Sequence, residues 1–87
     1  MDKRVINEII RRLDSVMTSA PTQVGVALGY DLFRECQKRG LLSMEEFSVL
    51  GQGFLPHRLP AYRGRHFAFV NPELTDWDFQ IGQPEHA

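Results

Sequence analysis

Thr22-Gln23-Val24-Gly25-Val26-Ala27-Leu28-Gly29-Tyr30 decides the fold, because it can be read with either of two periods. At period two, Val24, Val26, Leu28 and Tyr30 point one way and Gln23, Gly25, Ala27 and Gly29 the other. That describes a strand with one large apolar face and one face of small residues. A helix over the same residues would hold two interior glycines, each costing roughly 1 kcal/mol relative to alanine. The strand reading is therefore adopted. The helical alternative would turn residues 24–41 into a helix-turn-helix, presenting Arg34, Gln37, Lys38 and Arg39 to a major groove. It suffers from a first helix that is short and interrupted by glycine.

Upstream of this strand, Val5, Ile6, Ile9, Ile10, Leu13, Val16 and Met17 recur at helical spacing, with charged residues between them. An amphipathic helix over residues 3–18 follows, ending where Pro21 pushes the preceding residue out of the helical region. Downstream, Asp31 is read as the cap of a helix over 32–39, with Leu32, Phe33 and Cys36 inward, Lys38 and Arg39 at the C-terminal dipole, and Gly40 as the residue that ends it. Ser43 and Glu46 have the spacing of a capping box, and Leu42 with Phe47 that of a hydrophobic staple, so a short third helix is expected over 44–50. Phe54 to Pro60 reads as an extended loop. Arg65–Val70 and Asp76–Ile81 read as strands joined through an Asn71-Pro72-Glu73 turn into a C-terminal hairpin.

These elements give an α+β fold in the order α-β-α-α-β-β. The helices are expected to pack on a mostly antiparallel, three-stranded sheet, in a single domain over 1–87 with a frayed tail at 82–87. The 87 residues are 43% hydrophobic and 24% charged, a globular rather than a disordered composition. A chain of this length buries only about 60–65% of its unfolded surface. The lone Cys36 excludes an internal disulfide, and charges interrupt every apolar run near the N-terminus, so a reducing, cytoplasmic setting without a leader is expected. A net charge of -1 gives no general attraction to nucleic acid or anionic lipid, and no stretch is long enough to cross a bilayer.

No constellation of residues signals catalysis. Cys36 falls on an apolar helix face, and His57, His66 and His86 lack metal-site spacing, so no catalytic residue, cofactor or metal is assigned and the chain is read as non-enzymatic. Gly25-x-x-x-Gly29 is followed by no Lys-Ser/Thr pair, which leaves close packing as the role of its glycines.

Two features bear on binding. Arg58, Tyr62, Arg63, Arg65 and His66 interleave guanidinium groups with rings, the chemistry that holds phosphates and stacks bases. Asp76 and Asp78 on the next expected strand are alternative partners for those arginines. The second feature is an aromatic surplus in the C-terminal third. Phe67, Phe69, Trp77 and Phe79 belong to a sheet whose second face the helices need not cover. Unmanaged sheet edges and a small core point the same way. The expected function is a protein interaction module, self-associating through the aromatic C-terminal strands, with nucleic-acid binding as the alternative.

Overall fold

The computed structural model describes residues 2–21, 24–47 and 57–82, and side chains at 2–21, 24–45 and 59–82. Two helices, α1 (Lys3–Ser19) and α2 (Tyr30–Lys38), accompany five strands: β1 (Gly25–Leu28), β2 (Leu42–Phe47), β3 (His57–Tyr62), β4 (His66–Val70) and β5 (Phe79–Gly82). The strands form one mixed sheet in the order β2-β3-β4-β1-β5. Only β1 and β4 run parallel, and the other three pairs are antiparallel.

The fold is α+β as expected, and the deciding stretch is a strand. Val26 and Leu28 point into the core, while Tyr30 begins α2 and is exposed. Placing a strand at 25–28 removes the helix-turn-helix. Helix α1 runs to Ser19, with Ile10, Leu13 and Met17 buried, and Asp2 caps it by accepting from the Arg4 backbone N–H. Helix α2 starts two residues earlier than expected. Gly29 is its N-cap, and Asp31 sits in the first turn, where its charge complements the dipole without capping.

At the other end of α2, Gly40 adopts φ 75°, Leu41 N–H donates to Cys36 O at 2.9 Å and Gly40 N–H to Gln37 O at 3.1 Å. This pair of bonds is a Schellman motif, and the left-handed residue in it is the reason for glycine at position 40.

The sheet has five strands where three were expected, because β2 and β3 form where a helix and a loop were expected, and three expectations about individual elements fail. The helix expected from residue 44 is absent over 44–47, where β2 pairs with β3 from Leu42↔Tyr62 to Phe47↔His57, and residues 48–50 lie outside the described region. Ser43 Oγ donates to Glu45 Oε2 at 3.0 Å, so the hydroxyl bonds a side chain two residues along one face of a strand instead of capping a helix. A six-residue ladder outweighs one local capping signal.

Residues 57–60, expected as loop, form most of β3. Pro60 is tolerated because β4 pairs with β3 only at Ala61 and Tyr62, so that at position 60 the strand has a neighbour on one side alone.

The expected hairpin of 65–70 with 76–81 does not form either, because β1 lies between β4 and β5. The connection from β4 to β5 instead wraps over the β1–α2 junction. There Asn71 N–H donates to Leu28 O, Gly29 N–H to Asp78 O and Leu32 N–H to Asp76 O, each at 2.9 Å. The Asn71 turn itself is present, closed by Glu73 N–H donating to Asn71 Oδ1. The hairpin that does exist joins β3 to β4 through Arg63 (φ 51°) and Gly64 (φ 72°), with Arg65 N–H donating to Tyr62 O at 3.0 Å. Two successive positive φ angles make this the type I′ geometry that matches strand twist. The expected frayed tail begins inside the sheet at Gly82, and 83–87 lie outside the described residues.

Both helices pack on one face of the sheet. Ile10, Leu13 and Met17 of α1 and Leu32 and Cys36 of α2 meet Val26, Leu28, Tyr62 and Ala68. The architecture is therefore two layers, with one sheet face bearing no described helix. No described helix is long and apolar enough to cross a membrane.

Candidate interaction surface

The sheet face turned away from the helices is built around the small side of β1. Registers Ala27↔Phe69 and Ala27↔Gln80 set a phenylalanine, a methyl group and an amide side by side across β4, β1 and β5. One strand pleat away, Gly25 stands opposite Gly82 and beside Phe67. A Cβ at position 25 would lie 3.1 Å from Phe67 O and 3.6 Å from Phe67 Cδ2, so the floor is kept low by the close approach of β4.

The rings of Phe67 and Phe69 stack with centroids 5.3 Å apart and planes 23° from parallel. Phe67 is half-buried, whereas Phe69 is 41% exposed. Together Gly25, Ala27, Phe67, Phe69, Gln80 and Gly82 line a groove of about 340 Å³, and no charged residue among those described borders it.

Of the four aromatics expected to form an interaction surface, the structure thus brings Phe67 and Phe69 together. Trp77 and Phe79 lie across the sheet, packed against the helix-side core. Trp77 also borders an open, charged depression of about 520 Å³ with Asp31, Arg34, Glu35, Gln37 and Lys38 of α2. Gly25, Ala27, Gln80 and Gly82 were missed as site residues. The signal for the first two was present in the small-residue face of the 22–30 strand.

The basic cluster is arranged otherwise than a base-stacking platform requires. Tyr62 is 1% and His66 2% exposed, so neither ring offers a face to a base. Tyr62 Oη donates to Asp14 Oδ1 at 2.9 Å and Arg63 Nε to the same oxygen at 2.6 Å, while the Arg63 guanidinium lies 5.8 Å from the Tyr62 ring centre. The partner of Arg63 is therefore Asp14 of α1, and Asp76 and Asp78 form no described ion pair. The Arg63 hydrogen bond, helped by Tyr62, holds the Asp14 carboxyl below the usual aspartate range against the opposing effect of burial. Burial above all, and then the Asp14 contact, push the Tyr62 hydroxyl up. Arg65 is exposed, and the Arg58 side chain lies outside the described residues.

Cys36 is fully buried, and desolvation pushes its thiol up to about 12. No group of three His, Cys, Asp or Glu side chains among the described residues could hold a metal ion. The chain matches no protein-family model, and no curated protein and no solved structure is significantly similar to it.

Proposed function

We propose that this chain is a small, non-enzymatic interaction module whose partner is a protein, and that the partner is a second copy of itself. The observation that carries this reading is the groove beside Phe69, bordered by no charged residue among those described, on the sheet face that bears no described helix. An isologous interface needs a patch that complements itself under a two-fold axis. A projecting ring next to a floor of Gly25, Ala27 and Gly82 has that character, since the Phe69 of each copy can enter the groove of the other.

Edge strand β5 supports the same reading. Its residues Phe79-Gln80-Ile81-Gly82 include no charge and no proline, the usual devices that keep an edge from pairing, and β1 is its only strand neighbour among the described residues.

The test is the mass in solution by light scattering for the wild type and for Phe69→Glu. Burying an unpaired carboxylate at the interface is strongly unfavourable. A dimer that becomes a monomer at unchanged urea midpoint supports the proposal. A wild type that is monomeric at every concentration, or that gains mass only with added oligonucleotide at low salt, overturns it.

A further inference from the structure

We draw no further inference here: the strongest candidate, the depression of about 520 Å³ between Trp77 and the outer side of α2, is open to solvent and lined by charges of both signs, Asp31 and Glu35 beside Arg34 and Lys38, and nothing in the structure selects a ligand for it or shows what covers it.

Discussion

Replacing Gly29 with alanine should destabilise this protein far more than any other Gly→Ala change among the described residues. The backbone there has φ -64° and ψ 162°, which any residue adopts, so conformational freedom is not the reason for glycine. The reason is proximity. A Cβ would lie 2.0 Å from Thr75 O and 2.6 Å from both C and O of Asp76, all of them backbone atoms that cannot swing aside. Relieving the clash means moving the 75–78 segment outward by about 1 Å, against the hydrogen bonds from Gly29 N–H to Asp78 O and from Leu32 N–H to Asp76 O. Overpacking of this kind costs about 1–3 kcal/mol, and each weakened hydrogen bond adds about 1 kcal/mol.

A loss of about 3 kcal/mol is therefore expected. It is a large fraction of the roughly 4–13 kcal/mol typical of a domain this size. Urea unfolding followed by Trp77 fluorescence measures it against the wild type. If variant and wild type unfold within about 0.5 kcal/mol of each other, the wrapped junction is not what holds β5 against β1.

Other outcomes follow from the core and the charge cluster. Leu13→Ala, at a fully buried position between helix and sheet, should cost about 2–5 kcal/mol by chemical denaturation. Cys36, its thiol pushed up to about 12, should react with an aromatic disulfide reagent at pH 8 roughly a thousandfold more slowly in native than in unfolded protein. Equal rates would place the thiol at the surface. Because the folded Asp14 carboxyl titrates below its unfolded value of about 3.9, its stabilisation is complete above that pH and is lost as pH falls through the folded value. Asp14→Asn should therefore be less stable than wild type at neutral pH, and the gap should close below about pH 4. Curves that stay parallel to pH 2 would mean that the pair with Arg63 contributes nothing.

What could be read from the sequence was what local periodicity controls. The stripe from Ile6 to Met17 and the alternation of Val26 and Leu28 with Gly25 and Ala27 each fix an element and its buried side, and Gly40 marks a helix end through φ alone. What escaped was controlled by pairing between distant residues. Ser43 and Glu46 have helix-start chemistry, but Leu42 to Phe47 lies beside β3, and the ladder prevails.

Pro60 disguised β3, because a proline argues against a strand unless the strand is locally an edge, and only the register reveals that it is. Arg63-Gly64 is a two-residue turn without the usual Asn-Gly signature, so the β3–β4 hairpin was missed and a β4–β5 hairpin inferred in its place. The insertion of β1 between those two strands has no local signal at all. The same gap explains the site: Phe67 and Phe69 were found as neighbours at spacing two, while Trp77 and Phe79 were grouped with them through the wrong hairpin.

The central claim, that the sheet face turned away from α1 and α2 joins two copies of the chain, is tested most directly by recording backbone amide chemical shifts over a dilution series. The account expects concentration-dependent shifts centred on Gly25, Ala27, Phe69, Gln80 and Gly82, with α1 and the Asp14–Arg63 pair unmoved. Shifts that do not change with concentration, or that fall instead around Trp77 and the outer side of α2, would contradict it.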